Sequence, residues 1–390
     1  MCQGFKAAGI SAGIKKNNIK DLGLIVSDVP AAVAGVFTKN QIKAAPVLLD
    51  MERIKSGTCR AVIVNSGNAN CCNGEQGMKD AVLMAKAVAE KLGMAEDMVL
   101  VSSTGVIGQL LPVEKIESGI PQLFAALSPA GFLDFAESIM TTDTKPKKLS
   151  RTVEVAGKSF SLTGVAKGAG MIRPDMATML SYVCTDVEAD SSTLGELLTD
   201  AVNQSFNRIT IDGDTSTNDT VLILANGTSG VSLNDASVKD AFKNALEAML
   251  IDLAKMVVKD GEGVTKLVEI QISGAASDGD ADKMADTVAH SNLVKTAFFG
   301  EDANWGRIIG ALGRSGVALN PDAIDISFND VMLVKNGLWC GTDAESKATK
   351  VMKLPEFAVA IDVHLGAGRT SCWTCDLSID YVKINADYRS

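Results

Sequence analysis

The 390-residue sequence predicts a mixed fold, α/β or α+β, in which layered sheets are sandwiched by helices. Three observations support this prediction. Short apolar runs rich in β-branched residues end at Gly, Asn or Asp, as strands do. Between them, apolar residues recur every three to four positions, as on one face of a helix. Apolar residues make up 46% of the chain, enough for one large layered domain or two ordinary ones.

The N-terminal part is predicted to alternate strands with helices. Its strand candidates are the runs LGLIVSDV, AAVAGVFT and RAVIVNSG. Residues 75–93 are predicted to form a helix, because Met78, Val82 and Val88 fall near one face and Gly93 is a C-terminal stop. Another helix is predicted over about residues 130–140.

The rest of the chain repeats this alternation. Helices are predicted at about 192–207, 236–260 and 281–297, and the apolar spacing is clearest at 236–260. The strand candidates are TMLSYVCTDV, TVLILANG, VEIQIS, DISFND, FAVAIDVHL and CDLSIDYVKI. No repeat or low-complexity segment interrupts the pattern.

Charge and composition argue against several partners. The formal net charge is −10, and the short run Lys145, Lys147, Lys148 is interpreted as a solvated loop, so nucleic acid is not expected as a partner. No apolar run approaches the roughly 20 residues of a membrane span, and the N-terminus lacks a signal-peptide pattern. Eight cysteines in a chain of this length do not predict a disulfide framework. A cytoplasmic protein is expected.

Histidine is scarce, which limits the chemistry. With only His290 and His364, a site with several histidine ligands is nearly excluded, and no metal is expected. The lone pair Cys372 and Cys375 is a poor zinc site and is interpreted as two buried structural thiols. The segment ITIDGDTSTNDT lacks the Gly and Glu positions of an EF-hand loop. If the protein performs nucleophilic catalysis, the base is expected to be something other than histidine.

Three polar segments are candidates for chemistry. In VAKGAGMIRPDMATML, Lys167 precedes a Gly-Ala-Gly turn and Thr178 opens an apolar strand. In SSTGVIG, Thr104 and Gly105 follow an apolar strand, where a turn can present backbone N–H groups to an oxyanion. The segment NSGNAN is a third polar turn. Taken singly, each segment favours a structural interpretation.

Together and in order, these segments resemble the ornithine acetyltransferase (glutamate N-acetyltransferase) family. The resemblance runs the length of the chain and is carried by these segments and by MTTDTKPK, DGDTSTNDT, KDGEGVTK, VKTAFFGEDANWGRI and DYVKINADYRS. It implies a self-processing acyltransferase fold with an N-terminal Thr. Cleavage between Ala177 and Thr178 would yield an α chain of residues 1–177 and a β chain of residues 178–390. Two of each would form a heterotetramer.

The resemblance also implies a mechanism. The Thr178 hydroxyl attacks the Ala177 carbonyl, and hydrolysis of the ester frees an α-amine with an unperturbed pKa of about 7.7–8.0. That amine serves as the base while Thr178 carries the acetyl group of N-acetylornithine to glutamate. Thr104 and Gly105 stabilise the oxyanion, where one donor is typically worth about 2.7–4 kcal/mol.

The implied substrate contacts are six residues, with Thr142 an open alternative to the first: Thr141, Lys167, Thr178, Glu262, Asn385 and Ser390. Lys167 suits a substrate carboxylate, and Glu262 suits the cationic amine of ornithine. No cofactor is implied, and the sequence leaves open whether acetyl-CoA is a co-substrate. Two other hypotheses also stay open: an amidase or aminopeptidase of the same architecture, in which water replaces glutamate, and a non-catalytic binding protein.

Overall fold

The computed structural model describes residues 2–155, 157–173 and 179–387. Their contacts divide the chain into two compact units. The first contains the described residues up to Asn207 together with Asp214–Val257, and the second contains Arg208–Gly213 and the described residues from Val258 onward. The fold is a mixed one of layered sheets and helices, which confirms the predicted class.

The first unit is built on a sheet in which eight strands are described. They are β1 (Phe5–Ile10), β2 (Leu22–Phe37), β3 (Thr58–Asn68), β4 (Val99–Val106), β5 (Lys147–Val155), β6 (Lys158–Lys167), β7 (Leu180–Thr185) and β8 (Thr220–Ala225). Their order is β4-β3-β2-β8-β7-β6-β5, and β1 also pairs with β2. The pairs β3–β4 and β7–β8 are parallel, whereas β2 is antiparallel to both β3 and β8.

Helices cover both faces of this sheet. They are α1 (Ala45–Arg53), α2 (Gly74–Leu92), α3 (Val113–Ala125), α4 (Phe132–Ser138), α5 (Ser191–Asn203) and α6 (Ala236–Lys259). Neighbouring residues of a strand point to opposite faces. Val62 of β3 therefore packs in a core with Phe135 of α4, whereas the next residue, Ile63, packs in another core with Met84 of α2 and Ile116 of α3.

Strands from both sides of the Ala177–Thr178 bond lie side by side in this sheet. Strand β6 ends at Lys167, before that bond, and β7 begins at Leu180, after it. The two strands are antiparallel neighbours, and Lys167 is the Cα partner of Leu180. The segments before and after the bond therefore share one of the hydrophobic cores, which contains Val165 of β6 and Tyr182 of β7.

The second unit holds a sheet of six described strands, in the order β12-β11-β10-β13-β9-β14. The strands are β9 (Leu267–Ala275), β10 (Asp325–Phe328), β11 (Val331–Lys335), β12 (Leu338–Trp339), β13 (Glu356–Asp362) and β14 (Gly368–Cys375). The helices are α7 (Asp278–Ala289), α8 (Asn292–Phe299), α9 (Trp305–Gly313), α10 (Thr342–Met352) and α11 (Ile379–Asp387). Among the described helices of the whole chain, none is long and apolar enough to cross a membrane.

Most predicted elements are confirmed, and three differ. LGLIVSDV and AAVAGVFT form one strand, β2, whose register shifts between Val26 and Ala31. The helix predicted at 281–297 is two helices, because the Ser291 side chain accepts a hydrogen bond from Val294 N–H and starts α8.

The strand prediction for CDLSIDYVKI is wrong. Strand β14 ends at Cys375, and most of this segment forms the helix α11. The Asp376 carboxylate accepts hydrogen bonds from the backbone N–H groups of Thr265 and Lys266, and Ser378 Oγ accepts one from Tyr381 N–H. The Ser378 bond has the spacing of a helix N-cap, a local signal that outweighs the alternating pattern.

Candidate active site

Thr104 and Gly105 lie at the end of β4, beside β3. The predicted turn begins later than expected, because β4 continues through Val106. In the parallel register, Ser66 is opposite Thr104 and Gly67 is opposite Gly105, and the ladder is irregular at Asn68. Thr104 is buried, with 6% of its surface exposed. Irregular strand ends of this kind often re-aim backbone groups next to active sites.

Gly105 occupies a place that no other residue fits without strain. Its φ is +132°, which lies in the region that favours glycine. A Cβ on Gly105 would also lie within 2.4 Å of the backbone carbon of Gly67 and 2.6 Å of the backbone nitrogen of Asn68. The close approach of the two strands therefore requires glycine at this position.

Lys167 and Thr104, which are 63 residues apart, meet in the buried interior of the first unit. The ammonium of Lys167 donates a hydrogen bond of 3.0 Å to Thr104 Oγ1, and only 3% of Lys167 is exposed. An ammonium group has donors and no acceptor, so the Thr104 oxygen must accept in this bond. The hydroxyl hydrogen of Thr104 is then left to donate to another group, as an oxyanion donor must.

Asp143 binds backbone groups at or next to two further predicted site residues, Thr141 and Lys167. Its carboxylate accepts hydrogen bonds from Thr141 N–H at 3.0 Å, from Gly168 N–H at 2.7 Å and from Lys147 Nζ at 2.7 Å. Lys147 is 1% exposed, so its interpretation as part of a solvated loop is wrong. A buried cation needs a partner, and Asp143 supplies it. Thr141 and Thr142 are both half-buried.

The charges around Asp143 keep it ionised. Burial by itself would raise the pKa of the Asp143 carboxyl, but the ammonium charges of Lys147 and Lys167 outweigh burial and lower that pKa to about 2. Hydrogen bonds to the carboxylate act in the same direction. Asp143 is therefore a carboxylate at every pH at which the protein is expected to work.

The segment ITIDGDTSTNDT contributes two buried residues that the sequence did not single out. The Asn218 amide donates to Ala69 O at 2.7 Å and to Ser103 O at 2.8 Å, so it joins the end of NSGNAN to the start of SSTGVIG. Asp219 Oδ1 accepts from Met179 N–H at 2.9 Å. Burial raises the pKa of Asp219 well above its ordinary range. The segment that weakly matched a calcium loop therefore contains Asn218 and Asp219, whose hydrogen bonds connect the other segments of the site.

Three predicted positions, Ala177, Thr178 and Ser390, lie outside the described residues. Both flanks of the first two positions are described. Lys167 and Gly168 precede them, and Met179, which is 1% exposed, follows directly. The backbone carbonyl of Met179 also accepts from Thr220 N–H at 3.1 Å. Met179 is thus fixed through both its N–H and its carbonyl.

In the second unit, the structure brings together Glu262 and Asn385. Asn385 Nδ2, on α11, donates to Glu262 Oε2 at 2.7 Å, and Glu262 is 8% exposed. The adjoining Gly263 has φ of +68°, and a Cβ there would meet the backbone nitrogen of Tyr381 at 2.5 Å. This close approach of a turn to α11 places the carboxylate beside the amide, although 123 residues separate them.

Both histidines lie beside polar side chains of the second unit. His290 Nε2 lies 3.0 Å from Thr210 Oγ1, and His290 Nδ1 lies 3.0 Å from Asp286 Oδ1. These groups follow the order of a catalytic triad, but His290 Nδ1 lies closer to the backbone carbonyl oxygen of Asp286, at 2.7 Å, than to the Asp286 carboxylate. His364 pairs with Asp325 at 3.1 Å, and its side chain is 47% exposed.

Cysteines and acidic residues form no metal centre in the part of the chain that the structure describes. All eight cysteines are free thiols. Cys372 and Cys375 are buried in β14, which confirms their interpretation as structural residues. Burial raises the pKa of the Cys372 thiol to about 12. A thiol in that state is a poor nucleophile and a poor metal ligand.

Comparison with known proteins identifies the family. The model of the ArgJ family matches residues 6–390. The curated protein "Arginine biosynthesis bifunctional protein ArgJ" of Geobacter sulfurreducens is 54% identical over 390 residues, which are 100% of this chain and 99% of that protein. Its counterpart of the same name in Syntrophotalea carbinolica is 53% identical over 391 residues, with 99% of each chain covered.

A solved structure agrees. The crystal structure of the arginine biosynthesis bifunctional protein argJ of Bacillus halodurans contains a chain that is 42% identical. The match has a TM-score of 0.52 and covers 54% of this chain and 100% of that chain. A family model over nearly the whole sequence and relatives above 50% identity confirm the family predicted from the ordered motifs. This protein is a member of the ArgJ family.

Proposed function

We propose that this protein transfers the acetyl group of N2-acetylornithine to glutamate, giving ornithine and N-acetylglutamate. Its membership of a family whose relatives carry arginine biosynthesis in their names supports the pathway. The observation that carries the chemistry is the bond from Lys167 to Thr104 Oγ1, which leaves the Thr104 hydroxyl hydrogen available for an oxyanion.

The proposed nucleophile is Thr178, which self-cleavage prepares. Its hydroxyl oxygen attacks the carbonyl carbon of Ala177, the C–N bond breaks, and the nitrogen takes a proton. Water then hydrolyses the ester, leaving residues 1–177 with a carboxylate and residues 178–390 with an N-terminal amine.

The acyl transfer is a two-step exchange. The α-amine of Thr178, with an unperturbed pKa of about 7.7–8.0, accepts the hydroxyl proton as Thr178 attacks the acetyl carbonyl. Ornithine leaves with a proton on its amine, and the amine of glutamate then attacks the acetyl-Thr178 ester. Both steps form a tetrahedral oxyanion, which the Thr104 hydroxyl and the Gly105 N–H stabilise.

The substrate contacts divide by charge. Lys167 binds a substrate carboxylate, and Glu262 binds the side-chain ammonium of ornithine. Thr141, Asn385 and Ser390 supply further polar contacts, with Thr142 the alternative to Thr141. The low exposure of Lys167 and Glu262 supports these roles, since buried charges interact more strongly with a ligand than solvated ones.

Assembly and location complete the proposal. Two chains of residues 1–177 and two of residues 178–390 form a heterotetramer in the cytoplasm. No cofactor takes part. The curated relatives are called bifunctional. We propose acetylation of glutamate from acetyl-CoA as a second activity of this protein. An assay of N-acetylglutamate formation from acetyl-CoA tests this extension separately from the transfer.

The central test measures ornithine release from N-acetylornithine with and without glutamate. Acetyl transfer requires that glutamate raise the rate and that N-acetylglutamate appear in equal amount. Ornithine release that ignores glutamate would instead support the amidase alternative.

Self-cleavage is tested by a denaturing gel. The purified protein should give two fragments, and Thr178→Ala should give one uncleaved chain without transfer activity. Thr142→Ala is a control for general disturbance and should still cleave. Two fragments from Thr178→Ala would refute cleavage at this bond, and an active, intact wild-type chain would refute the need for cleavage.

A further inference from the structure

The Asp143 carboxylate accepts hydrogen bonds from two donors close to it in sequence and from a third donor that follows strand β6. Oδ2 accepts from the backbone N–H of Thr141, and Oδ1 accepts from both the backbone N–H of Gly168 and the ammonium of Lys147. The side chain of Asp143 is fully buried, and that of Lys147 is 1% exposed. A buried carboxylate with three donors is a rigid junction, because each donor would lose its partner if it moved.

Two of these donors belong to the backbone beside proposed substrate residues. One is the N–H of Thr141 itself, and the other is the N–H that directly follows Lys167. The loop before β5 carries Thr141, whereas Lys167 ends β6, and the pairing of Lys147 with Ala166 aligns the two strands. Asp143 therefore links the loop and the strand end next to Thr141 and Lys167, the two proposed substrate residues.

The oxyanion residue is held by different means. Thr104 lies in β4, and the ladder with β3 and the Asn218 bond to Ser103 O fix its backbone. Asp143 acts on Thr104 indirectly, through Lys167, whose ammonium bonds the Thr104 hydroxyl. Loss of Asp143 is therefore expected to disturb the binding of substrate more than the stabilisation of the oxyanion.

We propose that Asp143 is a positioning residue for the acyl donor: its carboxylate fixes the backbone at Thr141 and Gly168 so that Thr141 and Lys167 meet N-acetylornithine in a fixed geometry. This inference rests on the proposed function. It assigns Asp143 no contact with the reacting atoms.

The test compares the single variant Asp143→Asn with the double variant Asp143→Asn, Lys147→Met. The single change leaves a buried ammonium without its carboxylate, which lowers stability strongly. The double change removes both charges at similar volume, so the melting temperature should recover. In both variants one amide oxygen replaces two carboxylate oxygens, so a backbone donor at Thr141 or Gly168 stays unsatisfied.

Steady-state kinetics of the whole protein then separate positioning from stability. In both variants the KM for N-acetylornithine should rise by about tenfold to a hundredfold, the range expected for hydrogen bonds to a charged group, and kcat should fall by a smaller factor, because Lys167 also bonds the Thr104 hydroxyl. A KM that returns to the wild-type value together with the melting temperature in the double variant would overturn the proposal. So would a fall in kcat at unchanged KM.

Asp186→Asn is the matched control. Asp186 is also a buried carboxylate of the first unit, 2% exposed, and it also accepts from two backbone N–H groups, those of Gln3 and Ser161. Asp186→Asn should lower the melting temperature but leave KM within about twofold of wild type. A rise in KM equal to that of the Asp143 variants would show that any buried carboxylate has this effect, and would refute a positioning role.

Calorimetric binding of N-acetylornithine distinguishes this inference from the proposed function. If the wild-type protein binds the compound but transfers no acetyl group, the proposed function fails, and weaker binding to the double variant still supports Asp143. If the wild-type protein transfers acetyl groups and the Asp143 variants bind equally well, only this inference fails. Absence of binding to the wild-type protein overturns both.

Discussion

Replacement of Thr104 by Val tests the oxyanion role of its hydroxyl at almost constant volume. The hydroxyl is the acceptor for the buried ammonium of Lys167, at 3.0 Å, and its hydrogen is the proposed donor to the oxyanion. Loss of one oxyanion donor typically costs about 2.7–4 kcal/mol, so kcat should fall by about a hundredfold to a thousandfold. Loss of the acceptor removes one hydrogen bond of the buried Lys167 ammonium, which should destabilise the fold by about 1–3 kcal/mol.

The assay is ornithine release from N-acetylornithine at saturating glutamate, with thermal melting measured in parallel. Thr104→Ser keeps the hydroxyl and removes one buried methyl group, which is worth about 0.8 kcal/mol, so its kcat should stay within about tenfold of wild type. Comparison of Thr104→Val with Thr104→Ser therefore isolates the hydroxyl. A folded Thr104→Val protein with kcat within about threefold of wild type would refute the oxyanion assignment.

Three further predictions concern single residues. Gly105→Ala should destabilise the first unit and abolish activity, because its Cβ would lie 2.4 Å from the Gly67 backbone; normal melting and turnover would contradict that crowding. Because the pKa of Asp219 is raised in the folded state, wild-type folding becomes less favourable as pH rises above about 4, where the unfolded carboxyl is ionised. The free energy of unfolding of Asp219→Asn should therefore increase relative to that of wild type over this range, and a difference that is constant with pH would refute the raised pKa. Glu262→Gln keeps a hydrogen-bond acceptor for Asn385 but loses the charge. The KM for N-acetylornithine should therefore rise by about tenfold to a hundredfold, with little change in melting temperature. An unchanged KM would count against binding of ornithine by Glu262.

The elements that the sequence predicted well are those whose own residues decide their structure. The helix α2 ends at Leu92 and is capped by Gly93, whose φ of +62° is the C-cap conformation that glycine favours. Strand β8 is a continuous apolar run that is buried throughout, as its composition indicates. The segment CDLSIDYVKI was misassigned because alternation is weaker evidence than a cap, and the cap at Ser378 was not recognised.

Interactions between distant residues were harder to predict. Nothing local to Lys147 distinguishes it from the exposed Lys145, and its burial depends on Asp143, on the start of β5 and on the pairing of that strand with β6. The role of Asn218 was missed because its two partners, Ala69 O and Ser103 O, are 149 and 115 residues away. Such bonds depend on sheet order, which no local pattern encodes.

The sequence by itself determined the family and the types of reactive group, because the residues and the order of short motifs such as STGVIG and KGAGMIRPDMATML are fixed by the primary structure. The tertiary structure alone decided which of these groups meet: Lys167 with Thr104, Asp143 with Gly168, and Glu262 with Asn385. The physical reason is that each contact depends on strand register, on close backbone approach at glycine and on the pairing of buried charges. These are properties of the packed chain and not of any one segment of it.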